Sequence, residues 1–190
     1  LVPLRMADAL PVARHQEAVM LTPVERLAAK ADGKQWELVE NQRGITYYKL
    51  FGPYLAGAKK IVVEDAYVRK PYQLRNLAEF LEMLLRCKNP DEDVAVHLVT
   101  GHNDPEFVDA QVNGLDELVS TFSQLGVNLT YEFRDTLHDR SITSDTGWQI
   151  LPGRGLDIFQ KFIDGDWLNP LLRHQQLRRV KECKVTYMAN

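Results

Sequence analysis

The chain has few of the residues and segments that mark secreted, metal-bound or membrane-spanning proteins. It contains two cysteines, Cys87 and Cys183, in 190 residues, too few for a disulfide framework and not at a zinc-site spacing. No apolar run approaches the roughly 20 residues that cross a bilayer, and no basic segment followed by an apolar one marks a secretory signal. We therefore expect a cytoplasmic protein with reduced thiols, no transmembrane segment, no metal and no other cofactor.

A large excess of one charge is also lacking. With 23 basic and 26 acidic side chains, the net charge is −3, which is untypical of a protein that binds nucleic acid over its whole surface. The most basic segment is "RHQQLRRVK", residues 173–181. It could bind phosphate groups of a lipid or a nucleic acid, although a solvated surface is the simpler interpretation. Nucleic acid is the less favoured of the two ligands.

Strand and helix patterns alternate from residue 34 onward, which predicts an α/β domain with a mixed sheet flanked by helices. Residues 1–33 are predicted to be a linker or arm whose short helix begins at Thr22-Pro23. The predicted strands are 35–41, 59–68, 93–101, 127–135, 140–143, 147–151 and 183–188. Helices are predicted over 44–57 with a kink at Gly52-Pro53, over 71–88, and over 107–126 with Gly114 as a point of interruption.

Polar side chains follow two of the buried strands. Asp65, Tyr67 and Arg69 come at the end of the first long strand, and His102 follows the next. Ligands in such sheets bind beyond the carboxyl ends of the strands, so we expect a site there. His102 could face that site, although a loop histidine without a role is the more ordinary interpretation.

The segment "TLHDRSITSDTGWQILPGRGLDIF", residues 136–159, gathers the chemistry of a phosphate site. His138, Arg140 and Asp145 have the spacing H-x-R-x-x-x-x-D. The phospholipase D motif has the same spacing, with lysine in place of the arginine. Such a site needs a nucleophilic imidazole, a cation on the phosphate oxygens and a carboxylate that orients the ring. On a strand, residues 138 and 140 would point to the same side. These three are the catalytic candidates if the protein is an enzyme.

Three features weaken that interpretation. Arginine stays charged, so Arg140 can stabilise a phosphate but cannot lend a proton, and a single motif per chain leaves the second histidine to a partner subunit. Ser144-Asp145-Thr146-Gly147 is also ordinary turn chemistry. Downstream, "GRG" at 153–155 would let backbone N–H groups approach an anion, and Arg154 would add a guanidinium fork.

Three stretches carry a resemblance to a known family: "KKIVVEDAYVRKPYQLRNLAEFLEMLL", "LHDRSITSDTGWQILPGRGLDIF" and "KECKVTY". Over roughly residues 34–190 the chain resembles the MIT C-terminal domain family, which has a phospholipase D-like fold and also occurs in bacterial proteins, and we expect a bacterial member. The resemblance implies a homodimer, binding to acidic membrane lipids at the membrane periphery, and no phospholipase activity. Matching positions are Asp65, Tyr67, Gln73, Asn76, His138, Asp139, Arg140, Gly147, Trp148, Gly153, Arg154, Gly155 and Asp157. The carboxylate of Asp145 departs from the family pattern and reopens hydrolysis as an alternative.

Three hypotheses follow. The first, which the sequence favours, is a non-catalytic binding and dimerisation module of a larger protein that recognises a phosphate-bearing ligand, such as an acidic lipid headgroup, or a protein partner. Its ligand-binding candidates are Asp65, Tyr67, Arg69, Gln73, Asn76, His138, Asp139, Arg140, Arg154 and Asp157. The second is a dimeric phosphodiesterase, nuclease or phospholipase, with His138 as nucleophile. The third is a purely structural interaction domain, in which Arg140 and Arg154 are neutralised by internal carboxylates.

Overall fold

The computed structural model describes residues 20–161 and 168–190. Most of the predicted arm, residues 1–19, lies outside the described residues. Its short helix is present as α1 (Pro23–Ala28), capped as predicted: Thr22 Oγ1 accepts the Glu25 N–H at 3.1 Å and the Glu25 carboxylate accepts the Thr22 N–H at 2.7 Å. Leu27 is buried, and α1 packs against a helix of the domain, Gly52–Leu55. This helix is thus part of the folded unit.

Seven strands form one sheet in the described part of the chain. They are β1 (Trp36–Leu38), β2 (Lys60–Asp65), β3 (Val94–Thr100), β4 (Val127–Phe133), β5 (Arg140–Ser144), β6 (Trp148–Pro152) and β7 (Cys183–Ala189), in the order β1-β7-β6-β5-β2-β3-β4. The pairs β2–β3 and β3–β4 are parallel, and the other four are antiparallel. The α/β fold with a mixed sheet is therefore confirmed.

Two long helices make the crossovers of the parallel part. Helix α4 (Pro71–Cys87) joins β2 to β3, and α5 (Val108–Ser123), after a 3₁₀ turn at Pro105–Phe107, joins β3 to β4. Gly114 does not interrupt α5. A Cβ at this position would lie 2.7 Å from Leu74 Cδ1, so the glycine lets α4 and α5 approach closely.

The remaining helices are short. The predicted kink at Gly52-Pro53 divides one helix into α2 (Tyr47–Leu50) and α3 (Gly52–Leu55). The basic segment contains α6 (Pro170–Arg173) and a 3₁₀ turn at Gln175–Leu177. Among residues 20–161 and 168–190, no helix combines the length and the apolar character needed to span a membrane.

The apolar core lies between the sheet and the helices. In β2, Ile61 and Val63 are buried while Lys60 and Val62 are exposed, because successive strand residues point to opposite faces. Four buried rings lie in the core, where Tyr47 contacts the other three: Phe51, Phe80 and Phe159. Burial of these rings and of the aliphatic residues around them is the main source of stability.

The strand directions bring several segments to one edge of the sheet. Strands β2, β3 and β4 are parallel, and β5 is antiparallel to β2, with Asp65 opposite Arg140. The carboxyl ends of β2, β3 and β4 therefore lie beside the start of β5 and the end of β6. We call this side of the sheet the carboxyl edge.

Candidate functional site

A buried carboxylate lies at the centre of the carboxyl edge. Asp65 is 3% exposed, and its oxygens accept the N–H groups of Tyr67 and Leu156, both at 3.0 Å. Burial raises the pKa of Asp65, and this effect is larger than the opposing effects of the two N–H groups and Arg140. The sequence predicted that backbone N–H groups of "GRG" would approach an external anion. In the structure, the N–H of the next residue, Leu156, binds an internal anion, the Asp65 carboxylate.

Arg140 begins β5 directly beside this carboxylate. Its Nη1 donates to the Gly153 carbonyl at 2.8 Å, and its Nε lies 3.9 Å from Asp65 Oδ1, too far for a hydrogen bond. Nε is buried and has no hydrogen-bond partner among the described residues. The side chain is 29% exposed. Arg140 is thus fixed in position while much of its hydrogen-bonding capacity remains unused.

An exposed tyrosine ring lies between two guanidinium groups. The Cζ atom of Arg140 is 4.5 Å from the centre of the Tyr67 ring, and that of Arg69 is 5.4 Å from it. Arg69 is held by a 2.7 Å hydrogen bond from Nε to the Ala66 carbonyl. Tyr67 is 45% exposed. Cation–π attraction keeps both cations at the surface near one point. We call Asp65, Tyr67, Arg69 and Arg140 the Tyr67 cluster.

The three catalytic candidates do not converge within one chain. His138 is exposed, precedes β5, and makes no hydrogen bond or ion pair with a described residue. Asp145 follows the other end of β5, where its Oδ1 accepts the Lys59 N–H at 3.0 Å. Because β5 separates Arg140 from Asp145, their Cα atoms are roughly 16 Å apart at about 3.3 Å per residue. Asp145 is a turn residue, as its Ser-Asp-Thr-Gly context allows.

The other predicted ligand residues have mixed surroundings. Gln73 Oε1 accepts the N–H groups of Lys70 at 2.9 Å and Arg69 at 3.2 Å, so it shapes the turn that carries Arg69. Asn76 is buried in α4, and Asp139 is exposed beside His138.

Two further candidates lie near the start of β7. Arg154 is exposed and donates from Nε to the Glu182 carbonyl at 2.9 Å. The carboxylate of Asp157 lies 2.8 Å from Lys181 Nζ. The acid Asp157 is therefore paired with a lysine and is not an internal neutraliser of Arg154.

A histidine–aspartate pair at the same edge was missed by sequence reasoning. His102 Nδ1 lies 3.0 and 3.1 Å from the two Asp135 oxygens, and the His102 N–H donates to the same carboxylate at 2.9 Å. The ring stacks on Phe133, with 4.2 Å between centres. The backbone hydrogen bond from His102 is the largest cause of the lowered pKa of Asp135. Only the strand order β3-β4 brings these two loops together, so no local sequence signal could have found the pair.

The basic segment 173–181 is partly used inside the protein. Arg178 is 4% exposed, and its Nη1 lies 2.9 and 3.0 Å from the two Glu79 oxygens, while Lys181 pairs with Asp157. Arg173 and Arg179 remain exposed. The segment is therefore not a uniform phosphate-binding surface. Within residues 20–161 and 168–190, no three His, Cys, Asp or Glu side chains converge as metal ligands.

A known protein family matches most of this chain. The sequence model of a family described as the phospholipase D-like domain at the C-terminus of MIT matches residues 44–189. The chain belongs to this family. A relative, MIT domain-containing protein 1 of Mus musculus, is 37% identical over 136 residues, which are 70% of this chain and 54% of that protein. The chain thus spans about half the length of this curated relative.

Family membership confirms the resemblance found in the sequence. The matched region of this phospholipase D-like domain contains the Tyr67 cluster, His102, Asp135 and the whole of segment 136–159. Strand β1 lies before the match but pairs with β7 from Trp36 opposite Val185 to Leu38 opposite Cys183. The folded unit therefore begins earlier in the chain than the family match.

Proposed function

We propose that this domain is a non-catalytic module that binds a phosphate-bearing ligand, such as an acidic lipid headgroup, at the Tyr67 cluster. The observation that carries the proposal is the pair of guanidinium groups, Arg69 and Arg140, on one exposed tyrosine ring. Two planar cations at fixed positions match the oxygens of a phosphate. The proposal includes a homodimer, which the family resemblance implies and which sedimentation velocity would detect.

The neighbouring carboxylate does not prevent anion binding. Both Asp65 oxygens accept backbone N–H groups, and the carboxylate is buried behind Arg140. A guanidinium has five N–H donors, and among the described residues Arg140 donates one hydrogen bond, to the Gly153 carbonyl. Arg140 therefore keeps donors for an external oxygen, and the long 3.9 Å approach of its Nε to Asp65 leaves part of its charge uncompensated.

The structural hypothesis explains less of the geometry. It requires Arg140 and Arg154 to be neutralised by internal carboxylates. Arg154 instead donates to a backbone carbonyl, and the acid that faces Arg140 in the described part of the chain, Asp65, lies 3.9 Å from its Nε. Neutral carbonyl partners fix the positions of these cations without removing their charge, which favours an external ligand over an internal clamp.

Replacing Arg140 by alanine is expected to weaken sedimentation with vesicles of 30% phosphatidylserine in phosphatidylcholine by about tenfold in apparent Kd, because one charge-assisted contact is worth roughly 1.5 kcal/mol or more. Arg69→Ala should weaken it similarly, and Arg140→Ala combined with Arg154→Ala should weaken it further. Pure phosphatidylcholine vesicles should bind none of these proteins.

The matched control is Lys60→Ala. Lys60 is exposed, and its replacement removes one positive charge, as Arg140→Ala does. However, Lys60 begins β2, at the opposite edge of the sheet from the Tyr67 cluster. The control should sediment like the parent protein. If Arg140→Ala and Arg69→Ala also sediment like the parent while remaining folded by circular dichroism, lipid recognition does not occur at the Tyr67 cluster.

One observation favours phosphodiester hydrolysis as a second candidate: His102 is an imidazole already oriented by Asp135 at the carboxyl edge. Against it, Asp145 is too distant to orient His138. We expect hydrolysis of bis-p-nitrophenyl phosphate, single-stranded DNA and phosphatidylcholine to be no faster with the parent than with His138→Ala or His102→Ala. Turnover that either substitution abolishes would replace the binding proposal with an enzymatic one.

A further inference from the structure

A second polar region lies next to the Tyr67 cluster, between the beginnings of α4 and α5. It is a cavity of about 880 Å³, lined in the described part of the chain by Arg69, Lys70, Pro71, Tyr72, Leu74, Arg75, Asn103, Asp104, Phe107, Ala110, Gln111 and Lys161. Ligand sites for small molecules are about 300–1,000 Å³. Helices α4 and α5 contact each other where the Leu74 side chain packs against Gly114. The cavity-lining residues of α5 all precede Gly114.

The rim of this cavity is positively charged. Arg69, Lys70 and Lys161 are among its cations, and Asp104 is the one acid in the described lining. Neither lysine forms an ion pair with a described acid, and Lys161 Nζ lies 5.2 Å from the centre of the Tyr72 ring. Cations with no paired carboxylate at the mouth of a cavity favour an anionic ligand.

Another part of the cavity lining is apolar. Phe107 is 49% exposed, and Tyr72, Leu74 and Ala110 complete this part of the lining. A free phosphate would leave this surface in contact with water, and a neutral aromatic compound would leave the cations without a partner. The two halves of the cavity together match an organic anion that has one charged end and one flat apolar end.

Buried hydrogen bonds hold the cavity open. The side chain of Gln111 donates to the carbonyls of Val68 at 2.8 Å and Gly101 at 3.0 Å, and accepts the Asn103 N–H at 2.8 Å. Asn103 in turn donates to the Arg69 carbonyl at 3.2 Å. These bonds join the ends of β2 and β3 to α5, so a ligand would meet a formed site and lose little free energy in ordering it.

We propose that this cavity binds an organic phosphate, with the phosphate at Arg69, Lys70 and Lys161 and an aromatic or similar apolar group between Tyr72 and Phe107. The cavity shares Arg69 with the Tyr67 cluster, but the inference goes beyond the proposed function, because binding here needs no contact with Arg140 or Tyr67. The phosphate could belong to a soluble ester or to a lipid headgroup, and the chemistry at the rim is the same for both.

The test is a titration of the full chain with 2-naphthyl phosphate, in which binding is measured from amide chemical shifts in NMR spectra. The compound should bind at least tenfold more tightly than inorganic phosphate or 2-naphthol, and it should shift the amides of residues 69–75 and 107–111. With the Arg140→Ala protein, in which vesicle binding at the Tyr67 cluster is weakened, competition by acidic vesicles would assign the phosphate to a lipid, and its absence would assign it to a soluble ester.

Two substitutions identify the cavity. Ala110→Trp, at an exposed position of α5, should fill it and abolish binding, and Phe107→Ala should weaken binding several-fold. Leu125→Ala, an exposed apolar residue beyond the end of α5, should have no effect, and Arg140→Ala should leave this titration unchanged even if it abolishes vesicle binding. Equal affinity for inorganic phosphate, or unchanged binding by Ala110→Trp, would overturn the proposal.

Discussion

Gly155→Ala is expected to destabilise the folded domain by about 3 kcal/mol, as measured by urea unfolding. Gly155 has φ +59, a left-handed conformation that side chains with a Cβ seldom adopt. An alanine Cβ would also lie 2.6 Å from the Asp65 carboxyl carbon and closer still to Oδ2. The carboxylate cannot retreat without losing the Leu156 N–H or entering the space beside Arg140. Backbone strain and steric overlap therefore add.

The matched control is Gly147→Ala. Gly147 has φ +87, but a Cβ there would meet no atom within 4 Å. It should lose only the strain contribution, about 1 kcal/mol. Equal losses for the two substitutions would mean that contact with Asp65 does not determine the requirement for glycine at position 155.

A double substitution separates the two contributions. Combining Gly155→Ala with Asp65→Ala removes the overlap but leaves the Leu156 N–H without its acceptor, so the two losses should not be additive. The combined loss should be smaller than the sum of the single losses. Such coupling would show that the glycine is needed because of a buried carboxylate, not because of the turn alone.

Sequence patterns were sufficient for features set by local chemistry. The cap at Thr22, the kink at Gly52-Pro53 and the turn between β5 and β6 depend on residues close in sequence. These three features required no knowledge of strand order. The position of Arg140 opposite Asp65, by contrast, depends on the pairing of β5 with β2, which are not consecutive in the chain.

What the sequence did not predict depends on distant contacts. The hydrogen bond from the Leu156 N–H to Asp65 joins residues far apart in the sequence, so no local pattern predicts it. The pairing of His102 with Asp135 required β3 and β4 to be neighbours. The spacing H-x-R-x-x-x-x-D made His138, Arg140 and Asp145 candidates for one site, yet the extended path of β5 separates Asp145 from Arg140. A motif fixes distance along the chain, and only the secondary structure converts this to distance in space.

The largest effect outside the site is expected for Arg178→Ala, a loss of about 3 kcal/mol in the free energy of unfolding. Arg178 is buried, faces both oxygens of Glu79, and lies with Cζ 4.4 Å from the centre of the Phe159 ring. Its removal would leave the Glu79 carboxylate, which is 15% exposed, without the guanidinium that neutralises it, although the Gln175 amide would still donate to it at 2.8 Å. Burial lowers the pKa of Arg178.

The adjacent residue provides the control for this prediction. Arg179 is exposed, so Arg179→Ala should change the free energy of unfolding by less than about 0.5 kcal/mol. Replacing both members of the buried pair by methionine should cost less than Arg178→Ala, because no uncompensated charge remains in the core. If Arg178→Ala is as mild as Arg179→Ala, the pair does not anchor the C-terminal segment to α4. In that case the conversion of a predicted surface cation into an internal contact would have no energetic consequence, and the other contacts of the segment preceding β7, such as that of Lys181 with Asp157, would be sufficient to hold it.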